Sequence, residues 1–360
     1  MNKLPLHDKH QALGANFIES DGYLLPSDYG DSANEYDAVR NSVGIADLSN
    51  RGKLRFSGKD HLRFLQGMLT NDVVELPPGK GRYAALLTVK GRMVSDMKVY
   101  KGEDSMLFDL GPGLNEKVGE LLKKYRLSYK ADIDDVTQEL GLFSLSGPNA
   151  KELISRLFSS APRDMDEYDH FTADLEGHEV TVVKVNRTPL EGYDIYASSD
   201  SSSSVWDLLL SSGKELGITP VGDDAMNTLR IEAGIPVYGI DMDESNIPIE
   251  AGLWSALDFE KGCYVGQEVV ARIKWRGRVN WHLLGLVLDG DTVPSPGDEV
   301  FSGERKVGRV TSSVISPSLH RPVALGYIRR EFNEPGTKVT VKSGEDTESP
   351  ASVSGLPFQA

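Results

Sequence analysis

One cysteine serves the whole chain, and it stands in FEKGCYVGQEVVARI (259–273), flanked by Gly262 and Gly266 in a segment that also holds Lys261, Gln267 and Glu268. A thiolate is the form of cysteine that ligates metal or attacks an electrophile, and a lysine two positions away lowers the thiol pKa and favours that form. Glycines on either side let the backbone approach a ligand or another chain closely and adopt dihedrals closed to other residues. From these residues alone a blander reading stays open: a small apolar side chain packed in a turn that needs glycine. A lone cysteine closes no internal disulfide, and no Cys-x-x-Cys pair or Cys/His grouping accompanies it. Any metal chemistry at Cys263 must therefore borrow ligands from elsewhere.

Other motifs fall away on context. GKGRYA (79–84) fits the GxGxxA dinucleotide pattern in letters, but it follows ELPP and opens onto a strand, so the helix N-terminus that would face a phosphate is missing. The sequence holds no P-loop, no GxSxG elbow and no HExxH, and its seven histidines are scattered singly. Hydride transfer, phosphoryl transfer and zinc hydrolysis all drop. A formal charge of -15 disfavours a general phosphate-binding surface. The local exception, ARIKWRGR (271–278), carries four basic residues and a tryptophan and reads as an exposed strand, so no direct nucleic-acid binding is expected. MNKLPLHDKHQALGANF has charges where a signal peptide needs an apolar run, and no later segment approaches a membrane-spanning length. The expected setting is the cytoplasm, with no membrane partner.

The elements that must position these residues follow from periodicity. At 360 residues the chain is too long for one ordinary domain. GKLRFSG (52–58) reads as a strand, and KDHLRFLQGML after it puts Leu62, Leu65, Met68 and Leu69 at helical spacing. FSLSGPNAKELISRLF repeats that strand, Ser-Gly, helix order, with Ser57 and Ser146 lying 89 positions apart. Two similar α+β lobes by duplication would explain the recurrence; so would coincidence, because strand–Gly–helix turns are common. Residues 82–110 read as consecutive antiparallel strands, 113–127 as a helix, and 178–198 as a hairpin. SSDSSSS (198–204) reads as a surface loop before a helix, and GDDAMNTLRIEAG (222–234) carries helix start and stop signals. After residue 280 short β runs split by Gly and Pro predict a small barrel or sandwich.

With these segments in view the chain resembles a known family. KGCYVGQE matches the signature of the folate-binding YgfZ/Iba57 family. The run from LHDKHQALGANF through LTNDV, LRIEAGIPVYGIDMDE and IPIEAGL to TSSVISPSLHRPVALGYI is similar to the wider glycine-cleavage T-protein (aminomethyltransferase) superfamily. The resemblance implies an α+β fold, a T-protein-like ring of ferredoxin-like folate-binding lobes with a C-terminal β-barrel. It implies a folate-binding body over residues 1–280, with lobes at about 45–135 and 136–280, and a barrel over 281–360.

The same resemblance divides the functional question. T-proteins transfer a one-carbon unit from an aminomethylated lipoyl arm to tetrahydrofolate, and they usually carry aspartate where this chain has Cys263 and Asp-Asp where it has Ser95-Asp96. Asp96 thus keeps one carboxylate able to bond folate nitrogens and steer proton transfer. The family's TGED lines up with TPLE (188–191), so its pterin-binding glutamate becomes Leu190, with Glu191 adjoining. The arginine of its ARD becomes Met226, and its C-terminal basic contact falls near the acidic SGED (343–346). Folate would then be held by Asp96, Glu191, Tyr193, Arg230 and Tyr238. The main expectation is a tetrahydrofolate-binding accessory protein of iron–sulfur cluster assembly or repair, supporting cluster enzymes such as those that thiolate tRNA. In it Cys263, activated by Lys261, gives one ligand to a cluster shared with a carrier or client protein. Gly262, Tyr264, Gly266, Gln267, Glu268 and Arg272 support the loop. The alternative is a tetrahydrofolate-dependent aminomethyltransferase or demethylase with Asp96 as the key carboxylate and Cys263 structural.

Overall fold

The structure, a computed structural model, describes residues 2–359 apart from 160, 163, 345 and 346. Two positions of the acidic SGED segment therefore lie outside the described residues. The chain folds as two compact units. The first comprises residues up to Leu86, Ser95–Met226 and Glu260–Tyr264; the second comprises Leu87–Val94, Asn227–Phe259 and the chain from Val265 onward. Residues 227–259 and 265–280, placed in the folate body by the sequence reading, thus belong to the barrel-bearing unit.

The first unit is built on two sheets of matching order. One runs Lys80–Leu87, Met93–Lys101, Met106–Pro112, Arg51–Ser57, Asp132–Asp135. The other runs His170–Leu175, His178–Lys184, Gly192–Ser198, Leu140–Ser146, Val43–Asp47, Ile218–Pro220. Each begins its lobe with a strand that turns through Ser-Gly into a helix, His61–Gln66 in one and Ala150–Leu157 in the other. Glycine is required at both turns. Gly58 sits at φ +87° and a Cβ there would meet the Lys130 carbonyl oxygen at 2.6 Å; Gly147 sits at φ +136° with the Ser42 carbonyl oxygen at 2.5 Å. The second sheet differs by one strand, Val43–Asp47, which pairs antiparallel with Leu140–Ser146 and parallel with Ile218–Pro220.

Strand alternation decides what each sheet buries. Along Met93–Lys101, Met97 and Val99 join Leu54, Phe56, Phe108 and Leu110 in an apolar face, where the Phe56 and Phe108 rings stand 4.3 Å apart. The helix Leu114–Arg126 packs there through Val118 and Leu122. Asp96, Lys98 and Tyr100 project from the opposite face. The second sheet buries Ile45, Phe143, Leu145 and Ile195 under Ala150–Leu157 and Ser202–Gly213, with Trp206 fully enclosed. Ser202 opens that last helix, so the serine cluster read as loop is partly helical: its buried Oγ donates to the Ser198 carbonyl and fixes the first turn.

The second unit carries a closed six-stranded barrel in the order Trp281–Leu288, Arg321–Arg329, Arg305–Ser316, Glu299–Ser302, Lys338–Ser343, Thr347–Ser354. Its interior is Leu286, Leu288, Val300, Val310, Ala324 and Val341 among others. Residues read as an exposed strand at 271–278 lie largely in a helix, Gln267–Arg276. Buried Val270 and half-buried Ile273 recur at helical spacing, and Gly266 at φ +84° starts the helix. The mixed α+β class with a C-terminal barrel is as expected. Among the described residues no helix is long and apolar enough to cross a membrane.

Candidate functional site

The polar face of the first sheet carries a row of charge. Lys98, Asp109 and Lys53 are register partners on three adjacent strands. Asp109 is fully buried and accepts from Arg51 Nε at 2.6 Å and from Arg187 Nη2 at 2.5 Å. Arg187, from the loop before Gly192–Ser198, also donates to Asp194 through Nε and Nη2, so one guanidinium ties the two sheets of this unit together. Burial alone would raise the Asp109 carboxyl, but Arg51, Arg187 and Lys98 outweigh it and hold it well below the carboxylate range. Lys53 Nζ is buried and donates to the Ser49 and Arg51 carbonyls; desolvation lowers it to about 8. Beside this row the hydroxyls of Tyr100 and Tyr196 are buried without a hydrogen-bond partner among the described residues, their rings 6.0 Å apart.

Asp96 and Lys98 occupy the half-buried end of the same face. The Asp96 carboxylate accepts from the Tyr83 hydroxyl at 2.7 Å. Burial, with Asp96 next, pushes that phenol well above its ordinary value, so Tyr83 stays a donor. The Lys98 ammonium lies 6.0 Å from the centre of the Tyr83 ring. Desolvation, reinforced by Arg187, lowers Lys98 to about 8 against the pull of Asp109. Neither Tyr83, Lys98, Arg187 nor the Asp109 row was reached from the sequence. The signal present is alternation: Asp96 and Lys98 in VSDMKVY, and Arg51 and Lys53 in RGKLRF, break otherwise apolar strands at every second position.

The remaining expected folate residues divide between the units. Glu191 and Tyr193 lie in the first, where the Tyr193 hydroxyl donates to Glu191 at 2.9 Å and Lys184 Nζ stands 3.1 Å from the same oxygen. Burial would raise Glu191, yet these two bonds hold it below the ordinary value, so the carboxylate is already engaged. Arg230 and Tyr238 lie in the second unit. Arg230 is buried, pairs with Asp241 at 2.6 Å and donates to Ser312, Asn227 and the Ile235 carbonyl. Asp241 in turn accepts from Thr311 and Ser312, which makes this an internal brace of the unit. The Tyr238 hydroxyl donates to the Met93 carbonyl at 3.4 Å.

The cysteine loop is anchored by its lysine. Lys261 is buried and donates to the Leu69 and Asn71 carbonyls at 2.8 Å each, with its ammonium 5.4 Å from the Tyr264 ring. Cys263 is exposed and Tyr264 buried. The two glycines differ. A Cβ on Gly262 would meet nothing within 4 Å, whereas one on Gly266 would meet the Thr88 carbonyl oxygen at 2.6 Å. Gln267, Glu268 and Arg272 follow on the helix Gln267–Arg276, the last two exposed. Among the described residues no group of three or more His, Cys, Asp or Glu side chains is placed to hold a metal ion.

Two lobes of like topology followed by a six-stranded barrel define the class of protein, and sequence comparison agrees with it along the chain. Residues 6–261 match the GCVT N-terminal domain, and residues 282–359 match the glycine cleavage T-protein C-terminal barrel domain. The chain belongs to the glycine cleavage T-protein family. It is 32% identical over 342 residues to a protein named aminomethyltransferase from Halothermothrix orenii, covering 95% of each. It is 31% identical over 345 residues to the aminomethyltransferase of Bacillus subtilis, again with 95% of each covered. The crystal structure of glycine cleavage system aminomethyltransferase T from Bartonella henselae superposes with a TM-score of 0.91 at 24% identity, covering 99% of this chain and 98% of that one, a likeness of fold.

Proposed function

We propose that the protein is a tetrahydrofolate-dependent one-carbon transferase of the aminomethyltransferase type. The observation that carries this reading is Asp96: a half-buried carboxylate that accepts from the Tyr83 hydroxyl at 2.7 Å and from no other donor among the described residues. Full-length relatives named aminomethyltransferase support it over the accessory role. The donor set fits a folate. A flat pterin needs aromatic walls and a few polar contacts, and this face offers Tyr83, Asp96 and the buried Tyr100 hydroxyl, with Tyr196 of the second sheet beside it; neither hydroxyl has a hydrogen-bond partner among the described residues.

When bound, tetrahydrofolate supplies the ring nitrogens that accept the one-carbon unit. The chain's own part is to orient and to move a proton. Tyr83 fixes the Asp96 carboxylate through its hydroxyl, and Asp96 accepts hydrogen bonds from, or takes a proton off, nitrogen held against it. The flanking Lys98 and the buried Arg51–Asp109–Arg187 pairs keep the floor of the site rigid and charged.

Purified protein supplied with tetrahydrofolate and an aminomethylated lipoyl donor should form methylene-tetrahydrofolate. Asp96→Asn should lower kcat by about 10²-fold or more, the usual scale for loss of a positioned acid–base group. Full activity in Asp96→Asn would sink the reading.

A second reading rests on the exposure of Cys263. In a YgfZ/Iba57-like accessory protein the thiol lends one ligand to an iron–sulfur cluster shared with a carrier or client. Cys263→Ser would then impair cluster enzymes such as tRNA-thiolating ones in cells while sparing one-carbon transfer. Unimpaired cluster enzymes would remove it.

A further inference from the structure

We infer that the turn after the helix Leu114–Arg126 is a peripheral docking surface for an anionic lipid bilayer: Leu127 enters the apolar layer, and the basic side chains around it rest on the headgroups. This surface is separate from the Asp96 site and does not depend on the transferase reading. The expectation of no membrane partner rests on spanning length, which a peripheral contact does not need.

The stretch KKYRLSYK (123–130) interleaves basic side chains with aromatic and apolar ones. Tyr125, Leu127 and Tyr129 are all exposed, Leu127 by 86%. A residue that ends a helix with positive φ is ordinarily glycine, because a Cβ is strained there. Leu127 stands at that place with φ +44° and ψ −112°. The sequence thus keeps a large apolar side chain in water where glycine would suit the backbone better, so packing within the fold is not what selects it.

Cations surround this tip. Lys123 and Lys124, both exposed, precede Leu127 by about one helical turn, and exposed Lys130 follows it. The segment that leads into the helix His61–Gln66 brings more. Arg63 lies 6.0 Å from the centre of the Tyr129 ring and the Phe64 ring 5.5 Å from it. Lys59 adjoins Asp60, whose amide donates to the Lys130 carbonyl at 3.1 Å. The carboxylates of this region include Glu120, 4.0 Å from Lys123; Asp60, which accepts from the Lys130 amide at 2.9 Å; and Asp132, which opens the next strand. On a chain of formal charge -15 a basic group of this kind runs against the average. An anionic surface attracts it and repels the other faces, which fixes one orientation, and at physiological salt that repulsion reaches only about 8 Å. An apolar tip, tyrosines beside it and Lys or Arg further out follow the order of polarity met on passing from bilayer to water. Nucleic acid would use the tyrosines and the cations but leave Leu127 in water.

Co-sedimentation of the full chain with vesicles tests this, using phosphatidylcholine alone and an equal mixture of phosphatidylcholine and phosphatidylglycerol. The chain should bind the mixed vesicles and not the neutral ones. Raising salt from about 0.1 M to about 1 M, which shortens the screening length from about 10 Å to about 3 Å, should release most of it. Leu127→Gly should bind about tenfold more weakly or worse, as loss of a buried leucine predicts. Its melting temperature should equal or exceed that of the wild type, because glycine accepts the backbone there, so lost binding cannot be put down to lost folding. Lys124→Glu with Lys130→Glu should weaken binding by at least a similar factor, since each basic residue near an anionic surface is worth about 1 kcal/mol, or roughly fivefold. No binding to the mixed vesicles, equal binding to both kinds, or full affinity in either variant overturns the inference. So does a labelled single-stranded oligonucleotide that binds the wild type, loses affinity in the lysine variant and keeps it in Leu127→Gly while the vesicles stay unbound; the surface would then be one for nucleic acid.

Discussion

Lys98 is held at a cost to the folded state. Burial, with Arg187 adding to it, takes the ammonium to about 8, so between pH 8 and the ordinary lysine range near 10.4 the unfolded chain keeps a proton that the folded chain has lost. Stability must therefore rise with pH across that window, and below it the full desolvation cost is present. Lys98→Met removes the group from both states. Urea titrations at pH 7 and pH 10 should show the variant more stable than wild type at pH 7 and the advantage shrinking by pH 10. An unchanged midpoint at both pH values would mean that the ammonium is well solvated. Arg187 is the contrary case. It satisfies two buried carboxylates, so its charge stabilises where that of Lys98 does not.

At the scale of elements, local rules explain much and miss what depends on partners. The Ser-Gly turns at 57–58 and 146–147 were legible because a left-handed glycine is imposed by the backbone around it. The helix Gln267–Arg276 was not, because Val269, Val270, Ile273 and Trp275 favour a strand when judged singly, and only the full burial of Val270 with the partial burial of Ile273 on one side selects the helix. The two glycines of the cysteine loop looked equivalent in sequence and are not. Gly266→Ala places a Cβ against the Thr88 carbonyl at φ +84° and should cost about 1–3 kcal/mol. Gly262→Ala meets open space and should stay within about 0.5 kcal/mol of wild type. Thermal denaturation of the two variants separates them, and equal losses would contradict the loop geometry. The charged row was invisible for a related reason: Lys98, Asp109 and Lys53 are neighbours only through register between strands.

For the molecule as a whole, the lobes and the barrel could be read from periodicity and texture, whereas the division of residues 227–280 between units could not, since it follows from packing at long range. One strand has a further effect, on the order of events in folding. Val43–Asp47 leaves the ribosome before the first lobe, yet its sheet partners are residues 143–146 and 218–220. The sheet spanning 51–135 is contiguous in sequence and can close while its predecessor waits unpaired. Loop-closure entropy sets the order, because contacts of short sequence separation form before distant ones repay their cost. Pulsed hydrogen exchange during refolding should find the amides of 51–57 and 106–112 protected before those of 43–47; simultaneous protection would refute this sequence. The earliest strand of the second lobe is then among the last parts of it to become native, and a nascent chain halted before residue 218 would carry it as an exposed apolar edge.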